Sequence, residues 1–131
     1  MNEREMQAEV QRVFDQMGVT IDPCVKVSRL SVGERQQVEI ARTIQQQSQI
    51  IIMDEPTAAL GVKESRKVLD LVLKLKEQGC SVIVISHNMR HVFNVADRIV
   101  VLRGGVKVGE RLKSKTTPDE IVKLIVGAEM L

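Results

Sequence analysis

Ile50-Ile51-Ile52-Met53 is an unbroken apolar run that stops abruptly at Asp54-Glu55-Pro56, and Ser81-Val82-Ile83-Val84-Ile85 repeats the pattern, ending on Ser86 and His87. Continuous rather than alternating apolarity suits a strand buried on both faces, as in a parallel sheet. Between the two runs, Val68, Leu71, Val72 and Leu75 recur at helical spacing, which predicts a helix from about Lys63 to Gln78 with Gly79 as its stop. A short helix with Met89, Val92, Phe93 and Ala96 then leads to a third run, Ile99-Val100-Val101-Leu102. Strand, helix, strand, helix, strand predicts an α/β fold with a parallel sheet and right-handed crossovers. Ligands of such sheets sit beyond the carboxyl ends of the strands, where Asp54, Glu55 and His87 fall.

The flanking segments read as helices and one hairpin. Met6, Val10, Val13, Phe14 and Met17 share a helical face that Gly18 closes, and a loop with Pro23 follows. Ser31-Val32-Gly33-Glu34 fits a capping box opening a helix with Val38, Ala41 and Ile44 on its apolar face. Gly104-Gly105 turns the third strand back into Val106-Lys107-Val108. Thr117-Pro118-Asp119-Glu120 starts a last helix expected to bury Ile121, Leu124 and Ile125.

Composition narrows the function classes. With 19 Lys+Arg against 17 Asp+Glu, the net charge of +2 is too small to argue for a nucleic-acid or membrane surface on charge alone. Phe14 and Phe93 are the only aromatics, so a base-stacking platform is excluded. At 131 residues, 44% apolar and 27% charged, the chain is of globular type and long enough for a real core. No apolar run nears the roughly 20 residues that span a bilayer, and Met1–Met6 is too polar for a signal peptide. Cys24 and Cys80 form no spaced framework and are expected to be reduced thiols.

Three segments carry candidate chemistry. An Asp at a strand end can hold Mg²⁺, and a neighbouring Glu can polarise a water as general base; taken alone, Asp54-Glu55-Pro56 more often merely begins an ordinary turn. His87 alone is more often a satisfied loop or core residue, and it gains weight from its place after a buried strand. Leu30-Ser31-Val32-Gly33-Glu34-Arg35-Gln36 puts backbone N–H groups and a glycine at a helix start, the arrangement that binds phosphate, and also that of any capped helix.

Together these segments resemble the ATP-binding cassette (ABC) ATPases. Leu30–Gln36 looks like the family's signature loop, Ile50–Glu55 like Walker B, and Ser86-His87 like the switch-histidine loop, in family order. Pro56-Thr57-Ala58-Ala59-Leu60-Gly61-Val62-Lys63-Glu64 is similar to the carbohydrate importers of ribose, xylose or fructose type. The resemblance implies a P-loop NTPase (RecA-like) parallel sheet with flanking helices. It is incomplete here, because the 131 residues contain no P-loop and no aromatic that stacks on adenine. Residues 1–47 would end the helical subdomain and 48–131 would supply the Walker B, switch-histidine and C-terminal part.

By the resemblance, Asp54 helps hold Mg²⁺, Glu55 activates the hydrolytic water and His87 contacts the γ-phosphate of ATP. Ser31, Val32, Gly33, Glu34 and Gln36 would face the ATP of a second cassette subunit in a head-to-tail dimer. Implied partners are that subunit, transmembrane permease subunits and, indirectly, a sugar-binding protein outside the cell, with no nucleic acid. The implied place is the cytoplasmic face of the cell membrane. Gly61 departs from the family, where many members carry Asp. The reading is thus an ATPase subunit, or a piece of one, energising sugar import and not expected to hydrolyse ATP alone. A non-catalytic or regulatory fragment binding a cassette partner is the alternative, and a DNA-repair-type ABC head a more distant one.

Overall fold

The computed structural model describes residues 2–46 and 48–127. The chain divides into two compact units, one ending at Ile85 and one beginning at Ser86.

The first unit holds α1 (Glu3–Met17), α2 (Val32–Gln45), β1 (Ile50–Asp54), α3 (Val62–Glu77) and β2 (Ser81–Ile85). Local chemistry sets the helix ends. Asn2 caps α1 in a reciprocal box with Glu5, Ser31 does the same for α2 with Glu34, and Gly18 ends α1 in the left-handed region at φ +66°. Phe14 and Met17 of α1, Ile40 and Ala41 of α2, and Val68, Leu69, Leu71, Val72 and Leu75 of α3 form the buried faces. Met6 is exposed, and Val38 and Ile44 are only half-buried, so the inward stripe of α2 runs through Ile40 rather than Val38.

β1 and β2 pair in parallel, Ile50 opposite Ser81 through Asp54 opposite Ile85, as expected for a strand–helix–strand crossover. Burial on both faces does not hold. Ile51 and Met53 are buried, yet Ile50 and Ile52 on the other face are 64% and 66% exposed, and Ile83 and Ile85 beside them 51% and 50%. These four side chains share one face because in-register neighbours on parallel strands project to the same side.

The second unit holds α4 (Met89–Val95), β3 (Arg98–Arg103), β4 (Val106–Leu112) and α5 (Pro118–Val126). The third apolar run does not extend the parallel pair; β3 pairs antiparallel with β4 in a separate two-stranded sheet. Gly104 and Gly105 take φ +57° and +79°, the conformation of a two-residue hairpin turn that side chains disfavour. Ile99, Val101, Ile121 and Leu124 form the core, with Met89, Val92, Phe93, Ala96 and Val108 packed around it. Ile125, expected inside, is exposed, because α5 turns only Ile121 and Leu124 onto the sheet.

Ion pairs edge this unit. Glu110 bridges Arg98 and Lys107, and Glu120 accepts from Arg111 Nε at 2.7 Å and Thr116 Oγ1 at 2.7 Å. The Lys107 and Arg98 bonds hold Glu110, and the Arg111 and Thr116 bonds hold Glu120, below the ordinary 4.5. A carboxyl lowered by folding stabilises fully above its unfolded pKa and loses that contribution as pH falls through the folded value. The second unit is therefore expected to lose amide protection as the pH drops below 4.5. In Glu120→Gln this acid sensitivity is expected to be smaller, each pair being exposed and weak; an unchanged pH profile in Glu120→Gln would exclude its part.

Candidate functional site

The site builds from the ends of β1 and α2 in the first unit. Asp54 is the last residue of β1 and lies exposed. Glu55 follows with φ +44°, the one residue other than glycine in the left-handed region among the described residues. That conformation costs about 1–2 kcal/mol, and a residue before proline is expected to be extended. Two backbone bonds hold it. Glu55 N–H donates to Ile85 O at 2.9 Å, and Ala58 N–H donates to Glu55 O at 3.1 Å. The chain thus leaves the strand through a tight turn, with Pro56 and Thr57 buried beneath it and Glu55 half-buried. Strain of this kind concentrates at functional positions.

The α2 start is a closed network. Ser31 N–H and Ser31 Oγ both donate to Glu34 Oε2 at 2.8 Å, and Glu34 N–H donates to Ser31 Oγ at 3.3 Å. These bonds hold the Glu34 carboxyl below its usual range. Arg35 Nε donates to the carbonyl of Leu30, which is buried and anchors the turn. Val32 is exposed, Gly33 buried and Gln36 half-buried. A methyl at Gly33 would stand 3.0 Å from Leu60 Cδ2, so its side-chain space is filled by the segment after β1.

An open groove of about 260 Å³ joins the two features. Gln36, Glu39, Ile40 and Thr43 of α2 form one wall, and β1 residues including Ile52 and Asp54, with Pro56, form the other. The structure thus brings Gln36 of the signature-like segment and Asp54 into one cleft. It is smaller than the roughly 300 Å³ at which small-molecule pockets begin. Glu39 and Thr43 were not foreseen as lining residues; their spacing from Gln36, three and seven positions on, places them on the same helical face. Asp54 can offer one ligand to Mg²⁺, and no group of three metal-ligating side chains exists among the described residues. A Mg²⁺ ion suits such a site, since it keeps several waters and takes further ligands from phosphates.

His87 belongs to the second unit, exposed in the loop before α4. Asn88 shapes that loop, its N–H donating to Ser86 Oγ at 3.2 Å while its Oδ1 caps α4 at His91 N–H.

The α/β fold, with a capped helix and a strand-end acidic pair in one unit, is similar to that of part of the solved ABC-type ATP-binding cassettes. Residues 1–58 match the family model described as ABC transporter. The chain is 39% identical over 130 residues to the galactose/methyl galactoside import ATP-binding protein MglA 2 of Photobacterium profundum, covering 99% of this chain and 26% of that protein. It is 40% identical over 124 residues to the ribose import ATP-binding protein RbsA of Shigella dysenteriae, covering 95% and 25%. An ATP-binding cassette solved as a dimer in a post-hydrolysis state with ADP and phosphate superposes with a TM-score of 0.75 at 29% identity, covering 86% of this chain and 49% of that one. A nucleotide-free cassette of an ABC transporter superposes with a TM-score of 0.78 at 25% identity, covering 96% and 48%. The chain is homologous to the ATP-binding subunits of sugar importers, and it spans about a quarter of the length of these relatives and about half of each solved cassette.

Proposed function

We propose that the chain contributes the signature, Walker B and switch-histidine elements of a composite ATP site in a sugar-importing ABC transporter. The observation that carries this reading is the 39–40% identity to sugar import ATP-binding proteins over at least 95% of the chain. Residues 1–47 serve as the end of a helical subdomain and 48–131 as the strand-bearing part. Asp54 holds Mg²⁺, Glu55 orients and deprotonates the attacking water, and His87 contacts the γ-phosphate. Ser31, Val32, Gly33, Glu34 and Gln36 face the ATP of a second cassette, with helix N–H groups supplying the phosphate contact. The assembly works against permease subunits at the cytoplasmic face of the membrane, fed by a sugar-binding protein. No helix among the described residues is long and apolar enough to cross a membrane.

The exposed face of Ile50, Ile52, Ile83 and Ile85 supports a partner that packs over the sheet. Neither β1 nor β2 carries the Lys, Arg or Pro that guards natural sheet edges. A P-loop-bearing cassette half is the fitting occupant, because the chain covers only 48–49% of the solved cassettes.

The 131-residue chain alone is expected to show no Mg²⁺-ATPase activity, since several charge-assisted phosphate contacts, about 1.5–3 kcal/mol each, need the absent P-loop. Adding the P-loop-bearing half of a ribose import relative is expected to tighten labelled-ATP binding at least tenfold over that half alone. No gain in affinity would overturn the composite-site reading, and so would saturable turnover by the chain alone that vanishes in Glu55→Gln.

A further inference from the structure

Gly33 sits at the second position of α2, buried and with an ordinary negative φ, so backbone freedom does not explain a glycine there. Its neighbours do. A methyl at Gly33 would lie 3.0 Å from Leu60 Cδ2 and 3.7 Å from Glu64 Cγ. Glu64 is itself folded back, its Oε2 only 2.6 Å from where a methyl on Gly61 would stand. Gly61 caps α3 without a side-chain hydrogen bond. Two glycines, one at each helix start, therefore leave a notch that one leucine and the stem of one glutamate fill.

We infer that Leu60 and Glu64 are positioning residues for the Ser31–Glu34 turn, locking the start of α2 onto the start of α3 through the notch at Gly33. The lock joins the segment that leaves β1 at Glu55 to the turn proposed to face phosphate. Leu60 N–H donates to Thr57 O at 3.3 Å, and Ser65 N–H donates to Gly61 O at 2.9 Å, so the leucine is held between two anchored turns. Packed side chains of this kind have few alternative arrangements and transmit displacement. A shift in the turn after β1 is thereby passed to the Ser31 capping box. The functional weight of the lock rests on the cassette reading, whereas the lock itself is a property of the packing.

Amide exchange and backbone shifts of Ser31–Gln37 in the full chain test it. Leu60→Ala is expected to raise exchange there about tenfold and to move the Ser31–Arg35 amide resonances. Gly33→Val, which drives a side chain into the leucine's space, is expected to do the same. The double variant Gly33→Val/Leu60→Ala is expected to return to within about twofold of wild type, because the alanine vacates that space. A valine acting only through helix propensity would not be rescued. Glu64→Gln, which keeps the stem, is expected to leave these resonances in place, while Glu64→Ala moves them. Additive effects in the double variant, or a Leu60→Ala chain with unmoved Ser31–Arg35 resonances, would overturn the lock; should Gly33→Val not fold, the Leu60→Ala and Glu64→Ala spectra decide it. Failure of the cassette reading would register in ATP binding and leave these spectra as described.

Discussion

Glu55→Gln, in a full-length cassette completed with a P-loop-bearing half, is expected to cut ATP turnover by about 10²–10⁴, the usual weight of a general base. It keeps the shape of the side chain and the backbone bonds to Ile85 and Ala58 that fix it. The variant is therefore expected to bind ATP, dimerise and stay closed. Ser31→Arg is expected to abolish turnover by another route. Its side chain would intrude where the opposite subunit's phosphate is proposed to sit, and dimerisation with ATP is expected to be lost. Removing the hydroxyl also breaks the bonds among Ser31 Oγ, Glu34 Oε2 and Glu34 N–H, worth about 0.5–2 kcal/mol to a helix start. Ser31→Ala separates the two effects, since it loses the cap without the bulk; it is expected to dimerise more readily than Ser31→Arg. Size-exclusion chromatography with ATP distinguishes the three. Ser31→Arg dimerising as well as Glu55→Gln would show that the start of α2 does not face a second cassette.

The parts of this fold that were legible from sequence are those set by neighbours in the chain. Capping at Ser31 and Thr117 and the stop at Gly18 are decided within three or four residues, and each stands where the pattern put it. The β1–β2 pairing was legible too, because a strand–helix–strand order allows little else. Three features were hidden for physical reasons. Apolarity at Ile50 and Ile52 reads as burial, and nothing in a one-dimensional pattern says that both side chains stand exposed. The run Ile99–Leu102 made β3 read as a third strand of the parallel sheet, although it pairs antiparallel with β4, Val100 and Leu102 are exposed and only Ile99 and Val101 turn inward. The left-handed turn at Glu55 depends on the carbonyl of Ile85, 30 positions away, and runs against the local preference before proline. For the proposed site, residue types and spacing pointed to Asp54, Glu55, His87 and the Ser31–Gln36 turn. The packing of Gly33 against Leu60 needs both helix starts in place and has no sequence signature of its own.

Ile121→Ala is the substitution expected to cost the second unit most. Ile121 is 1% exposed, among the most enclosed side chains of the chain, and packs with Ile99, Val101 and Leu124 between α5 and the hairpin. Truncating a buried isoleucine removes its transfer free energy and leaves a cavity, together about 2–5 kcal/mol. Relaxation into that cavity is limited from the other side. A methyl on Gly109 of β4 would stand 2.8 Å from Leu124 Cδ1, so hairpin and helix already touch backbone to side chain. Amide exchange across Arg98–Leu112 is thus expected to accelerate roughly 30- to 4,000-fold, the same free energy read at about 1.4 kcal/mol per tenfold. Ile125→Ala, one turn along the same helix and exposed, is expected to change exchange by no more than a few fold. The pair also tests the orientation of α5, because sequence pattern alone put both residues inside. Equal effects from the two substitutions would mean that Ile125 shares the core, and that α5 is rotated from the face on which Ile121 and Leu124 meet the sheet.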